Sequence, residues 1–240
     1  MRELLRTNGG CKLPCWWGIV PGRTTWLEAE SFLNHLGFRT SSETLADGSV
    51  LHGFGGTEFE DEHLYNSIGI YERNGNIDAI GIRGNGWSNM SGFHEIWGKY
   101  DLQNFLPDYG QPSRIWLSSV SNDIGAPGIE GYRLWLFYDR FGFVLSYHAA
   151  GAIIDGENYH ICPRMDDEDI GEIRMLLQSP DNPEPLDRID ENTEWFRKST
   201  KSIDKATGLS TEDFYQLFIQ EEQPACFDTP IDIWPALGDS

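Results

Sequence analysis

One helical stripe is written twice in this chain, and that repetition narrows the possible folds more than any other feature. Trp26, Ala29, Leu33 and Leu36 recur at the spacing of one helix face, and Thr25 with Glu28 forms a capping box ahead of them. Gly37 stands where a left-handed C-cap belongs. Leu102, Phe105, Leu106 and Tyr109 repeat the stripe, closed by Gly110 with Pro112 beyond, and Gly37 and Gly110 lie 73 residues apart. In that alignment Phe32 matches Phe105 and Leu33 matches Leu106. Pro107 predicts that the second helix is short or kinked, because a prolyl ring removes a backbone donor and crowds the preceding turn.

Strand patterns follow each stripe. Residues 68–82 carry β-favouring runs on either side of Asn74-Gly75, the preferred pair for a type I′ turn, and predict a hairpin with Ile68, Ile70, Ile77 and Ala79 on one face. The second stripe is followed by a strand over 114–120 and a hairpin over 133–148 around Asp139-Arg140-Phe141-Gly142. A helix and then antiparallel strands, twice at one period, predict an α+β chain of two tandem helix-plus-antiparallel-sheet modules with a C-terminal helical or irregular extension. The first module, with an N-terminal cysteine loop, is placed at 1–90, the second at 91–163, and the extension that packs on them at 164–240. Gly9-Gly10 and Pro14 mark the first twenty residues as loop. In the extension, Asp166-Asp167-Glu168-Asp169 ahead of Ile170, Ile173, Leu176 and Leu177 predicts a helix ending before Pro180. A Pro- and Asp-rich stretch over 179–191 reads as a linker, and a last helix starts at Ser210 with Phe214, Leu217 and Phe218.

Charge excludes whole classes of partner. Eighteen Lys and Arg stand against 38 Asp and Glu, a net charge of −20 that repels phosphate backbones and anionic lipid surfaces. Nucleic acid is therefore not an expected partner, and no apolar window is long enough to span a bilayer. Met1-Arg2-Glu3-Leu4-Leu5-Arg6 lacks the apolar core of a signal peptide, which leaves a cytoplasmic protein or a mature export product. Four cysteines separate these: two disulfides, Cys11–Cys15 and Cys162–Cys226, are expected, and with them an oxidising, extracytoplasmic location, secreted or lipid-anchored. A zinc site from Cys11, Cys15, Cys162 and His160 is the competing reading, and its ligand spacing is less regular than structural zinc sites use. No metal or cofactor is expected.

Two stretches resemble known families. Cys11-Lys-Leu-Pro-Cys15-Trp-Trp-Gly-Ile-Val-Pro-Gly-Arg-Thr24, with Cys226-Phe-Asp-Thr-Pro near the end, is similar to uncharacterised bacterial exported or lipoprotein-type proteins. The Pro21-Gly22-x-Thr24 entry, the helix and the Leu36-Gly37 exit resemble repeats of the β-lactamase-inhibitor-like and small outer-membrane-assembly lipoprotein superfamily. That resemblance implies helix-plus-sheet modules, often in tandem, that act by binding other proteins. It covers the first two-thirds of the chain, and the paired helices of family modules are not identifiable from this sequence.

No catalytic spacing is complete: His94-Glu95-Ile96-Trp97-Gly98 stops short of a zinc-protease motif, and Gly81–Gly86 follows a hairpin strand instead of opening a helix. The run Glu58-Phe59-Glu60-Asp61-Glu62-His63 reads as a solvated charge run, with a secreted hydrolase using carboxylates such as Glu60 or Asp61 as the enzymatic alternative. In the second hairpin Leu134, Leu136 and Tyr138 share one face and Trp135 and Phe137 the other, so both faces are apolar and something must cover the second. Trp195, Phe196, Phe214 and Phe218 of the extension are one candidate cover. A partner is the other, with Trp116, Trp135, Phe137 and Tyr147 as binding residues. The sequence thus points to a non-catalytic binding or assembly protein with a protein partner, a carbohydrate-binding module being a further alternative, and leaves enzymatic activity open.

Overall fold

The computed structural model describes residues 2–54, 65–86, 90–120, 131–149, 152–165, 170–181, 199–220 and 225–234. The chain is α+β, with one large antiparallel sheet covered by helices on one side. Helices α1 (Arg2–Thr7) and α2 (Trp26–His35) precede strands β1 (Ser41–Thr44), β2 (Val50–Phe54), β3 (Tyr65–Arg73) and β4 (Asn76–Asn85). A second pair, α3 (Met90–Trp97) and α4 (Leu102–Tyr109), precedes β5 (Arg114–Val120), β6 (Gly131–Tyr138) and β7 (Phe143–Ala149). After a small hairpin of β8 (Ile153–Asp155) and β9 (Asn158–Ile161) comes β10 (Ile170–Gln178). The C-terminal part adds β11 (Thr200–Ser202), short helices at Ile203–Thr207 and Thr211–Gln220, and β12 (Phe227–Pro230).

The nine-stranded sheet has the order β1-β2-β3-β4-β10-β7-β6-β5-β11, and β12, β9 and β8 form a separate three-stranded sheet. The strands β1 to β4 run inward from one edge as an antiparallel meander, β5, β6, β7 and β10 run inward antiparallel from beside the other edge strand, β11, and the last strands of the two runs, β4 and β10, pair antiparallel at the centre. Each run is preceded by two helices, of which the first, α1 or α3, is not foreseen from the sequence.

Local chemistry explains the most regular elements. The Thr25 hydroxyl accepts from the Glu28 amide while the Glu28 carboxylate accepts from the Thr25 amide, a capping box that starts α2. Gly37 follows it at φ +84°, a backbone region that favours glycine. Asn74 and Gly75 take φ of +54° and +82° in the β3–β4 turn. A bulge between Tyr71 and Glu72 shifts the pairing there, so Ala79 lies opposite Tyr71 while Ile68 and Ile70 face Ile82 and Ile80. This corrects the expected face: Ile77 joins the main core and Ala79 turns away from it. Helix α4 runs through Pro107 to Tyr109, with Asp101 capping its start.

Three expectations are overturned. Residues 170–178 form the central strand β10, not a helix, so the stretch from 164 onward supplies the middle of the sheet and does not merely pack on it. The apolar residues Ile173, Met175 and Leu177 also fit a two-residue period, and their partners on β4 and β7 decide between the two patterns. The first residues are not all loop: α1 is anchored by buried Leu5 and by the Trp17 indole donating to the Leu4 carbonyl at 3.2 Å.

The covered face is a continuous apolar layer. Ile68, Ile82, Met175, Leu145, Leu136 and Ile115 lie on one line of register across six strands, and Ile70, Ile80, Leu177, Phe143 and Tyr138 form the next. Trp97, Phe93, Leu102, Phe105, Leu106 and Leu33 close over them from the helices. Each fully buried aromatic or Leu contributes on the order of 2–3 kcal/mol, which makes this layer the main source of stability. Phe214 and Phe218 join the same layer, their rings tilted against each other with centroids 4.6 Å apart and packed toward α4. They therefore do not cover the opposite face. Trp195, Phe196 and the run 58–63 lie outside the described residues.

Both expected disulfides are present, Cys11–Cys15 and Cys162–Cys226. No described helix is long and apolar enough to cross a membrane.

Candidate functional site

The site is the face of the sheet opposite the helices, on which no described helix packs and where strand alternation brings together residues far apart in sequence. One line of register runs Ser41, Gly53, Gly69, Gly81, Leu176, Val144, Phe137, Arg114. The next runs Ser67, Arg83, Arg174, Ser146, Trp135, Trp116. The third runs Asn85, Glu172, His148, Arg133, Ser118. Over β2, β3 and β4 the first line consists only of glycine, so backbone forms the floor, with the Leu51 methyl leaning over Gly69 and the Ser41 hydroxyl over Gly53. Leu51 and Tyr71 rise on one side of it, and Arg83, Arg174 and Trp135 on the other, around a groove of about 470 Å³. That volume falls in the range of ligand pockets.

The polar end of the groove is organised by Glu172, only 1% exposed. Arg83 donates to its Oε2 from Nε at 2.7 Å and again from Nη2, and Arg174 Nε donates to Oε1 at 2.6 Å. Asn85 donates to Oε2 at 3.3 Å, while Arg133 and His148 stand 3.7 and 3.9 Å from Oε1. Burial alone would raise the carboxyl pKa. The neighbouring His148 and the charges and hydrogen bonds of Arg174 and Arg83 outweigh it and hold Glu172 well below the usual carboxylate range. Three guanidinium groups around one carboxylate leave a surplus of positive charge, and Arg83 and Arg174 keep 42% and 35% of their side chains exposed. In a chain of net charge −20 this is a local reversal of sign.

Of the residues expected from sequence, Trp116, Trp135 and Phe137 lie on this face. Trp135 and Phe137 are 4% and 1% exposed and form a packed cluster with Val144, Trp116 and Leu176. The Arg114 guanidinium lies 4.3 Å over the Phe137 ring, and the Trp135 indole donates to Ser118 Oγ at 3.2 Å. These two aromatics are therefore the wall and base of the groove's far end, not projecting anchors. Tyr147 is a correction. It points to the covered face, fully buried, with its hydroxyl donating to the Tyr100 carbonyl at 2.5 Å. In β7 it shares parity with Leu145 and Phe143, which face the helices.

A second polar line crosses the first half of the sheet. His52 Nδ1 is 2.8 Å from Ser42 Oγ and its Nε2 is 2.8 Å from Glu72 Oε2, with the Trp26 ring stacked on the imidazole. The order Ser, His, Glu is that of a hydrolytic relay, but ladder pairing alone brings it about: Ser42 lies opposite His52, and Glu72 is two residues along β3 from the partner of His52. We read it as a polar clamp that holds the β1–β2 edge under α2.

No protein-family model, curated protein or solved structure matches this chain.

Proposed function

We propose that this is a non-catalytic binding protein that holds an acidic, extended segment of another protein along the open face of its sheet. The observation that carries the reading is the groove: three glycines in register under an arginine pair, in a chain that is otherwise strongly acidic. A bare backbone floor lets an extended chain lie close to the sheet, and guanidinium forks recognise carboxylates with paired hydrogen bonds. Glu172 fits a positioning role. It is held ionised and splays Arg83 and Arg174 toward the groove, which suits recognition and not proton transfer.

Two further observations support it. Each half of the sheet is a helix pair followed by a four-strand meander, and the halves meet through their last strands, the arrangement expected of a duplicated module. This agrees with the resemblance to a superfamily of tandem helix-plus-sheet proteins that bind other proteins. Two disulfides favour an extracytoplasmic location. Sugar stacking would require exposed aromatic platforms, and Trp135 and Phe137 are buried.

The test is a ¹⁵N NMR titration of the full chain with the blocked peptide Ac-(Glu-Val)₄-amide, and with Ac-(Lys-Val)₄-amide as its charge-reversed counterpart. The acidic peptide should shift the amides of Gly69, Gly81, Arg83 and Arg174 and the Trp135 indole, and the double variant Arg83→Gln/Arg174→Gln should remove the response. No shifts on this face, or equal shifts with the lysine peptide, would refute the proposal.

A further inference from the structure

Strands β9 and β12 lie side by side with Ile161 opposite Phe227 and His160 opposite Asp228. Cys162 and Cys226, one position further along, are therefore a cross-strand pair, and they are joined as a disulfide. Alternation places His160 on the same side of its strand as Cys162, and Asp228 on the same side as Cys226. The two sulfurs and a ring nitrogen of His160 all lie within 4.8 Å of one another. His160 Nδ1 is 2.7 Å from Asp228 Oδ1, and the two side chains are 39% and 60% exposed, so solvent reaches the cluster.

We propose that reduction of the Cys162–Cys226 disulfide converts this cluster into a zinc site, with the two thiolates and the His160 imidazole as ligands and water in the fourth position. Two sulfurs and one imidazole are a donor set that zinc favours, and three protein ligands leave one position of the tetrahedron open. Asp228 accepts the Nδ1 proton, which fixes the tautomer and leaves Nε2 as the coordinating nitrogen, the carboxylate–histidine arrangement common at metal sites. The redox step balances with a dithiol or phosphine reductant as the two-electron donor. The S–S bond breaks and two thiols form, the dithiol giving up two protons and closing to its own disulfide, or the phosphine taking oxygen from a water that supplies the two protons; Zn²⁺ then displaces the two thiol protons without changing oxidation state. The site is closed while the disulfide stands, because its sulfurs are then not thiolates. The same two strands are thus tied by a covalent bond under oxidising conditions and by a metal under reducing ones.

The experiment uses the full chain with Cys11→Ser and Cys15→Ser, which removes the other thiol pair. After reduction with tris(2-carboxyethyl)phosphine, Co²⁺ should bind at one equivalent with thiolate-to-cobalt absorption in the near ultraviolet and tetrahedral d–d bands in the visible. Zn²⁺ should bleach both, and the unreduced protein should show neither. Cys162→Ser should remove the charge-transfer band, and His160→Ala or Asp228→Asn should weaken zinc by about tenfold or more in competition with a chromogenic chelator. Absence of the cobalt–thiolate band in the reduced protein, or unchanged zinc affinity in His160→Ala, would overturn the proposal. If reduction without metal abolishes the far-ultraviolet circular dichroism, Co²⁺ added before the reductant should preserve it, and loss of structure regardless counts against the site equally.

Discussion

On the open face, the line of register through Gly53, Gly69 and Gly81 continues into Leu176, Val144 and Phe137, so one row passes from bare backbone to a packed aromatic cluster. The two halves of the sheet share strand order and an apolar covered face, yet they fill this row in opposite ways. The covered face has less freedom, since from β3 to β5 its two central rows are buried in the main core under the helices. A glycine inside a strand is roughly 0.5–1 kcal/mol less favourable than alanine, so three in one row oppose stability, and under the proposed function they leave room for the bound segment. The contrast teaches that packing dictates composition on the helix-covered side of this sheet, whereas on the other side the glycine half is where the proposed binding can be tested.

The contrast can be broken most forcefully in the filled half. Phe137→Ala should cost about 3–4 kcal/mol in urea unfolding, because its ring is buried between Val144, Trp116 and Arg114. Loss of less than about 1 kcal/mol would show that the cluster is not a packed core. At the seam between the halves, Glu172→Gln should cost about 2 kcal/mol at neutral pH, below the cost for a fully buried pair because Arg83 and Arg174 remain partly exposed. Since the folded-state pKa of Glu172 is depressed, its contribution is present above the unfolded value of about 4.3 and is lost as pH falls below it. The stability gap between wild type and Glu172→Gln should therefore hold constant from pH 7 to about 5 and close in more acidic solution. A gap that widens on acidification would contradict the assignment.

Glycines on opposite faces of one strand sharpen the comparison further. A Cβ at Gly84 would collide with the Trp97 indole on the covered side, and Gly84→Ala should lose about 2 kcal/mol. Three residues away, a Cβ at Gly81 makes only ordinary contacts, with the Tyr71 ring at 3.8 Å and the Gly69 carbonyl oxygen at 3.9 Å, and Gly81→Val should leave stability unchanged or raise it by up to about 1 kcal/mol while abolishing the response to the acidic peptide. Between them in size, Thr25→Ala should cost about 1 kcal/mol through the lost cap, in a helix that touches neither row.

Features set by neighbouring residues were readable from sequence: the capping box of α2, the Asn74-Gly75 turn, the glycine end of α4, and the alternation that puts Trp116, Trp135 and Phe137 on one face. Features set by distant partners were not. The residues of β10 satisfy a helical and a strand period alike, and only β4 and β7 on either side decide the matter. Glu172 and Arg174 lie in that same strand, and their partners Arg83 and Arg133 lie far away in the chain, so the charged end of the groove leaves no local trace in the sequence. Tyr147 was misplaced because its parity depends on how the turn at 139–142 joins β6 to β7. The six-residue α1 is too short for periodicity to reveal and owes its place to burial of Leu5.

The central position of β10 also has a kinetic meaning. Gln178 pairs with Ala79 across 99 residues, so during synthesis the inner edge of β4 stays unpaired until most of the polypeptide has emerged. Such long-range pairing makes assembly slow, and an unpaired edge invites contact with other nascent chains. The refolding yield of this protein should accordingly fall as its concentration rises, with aggregates seeded from the strand that waits longest for its neighbour.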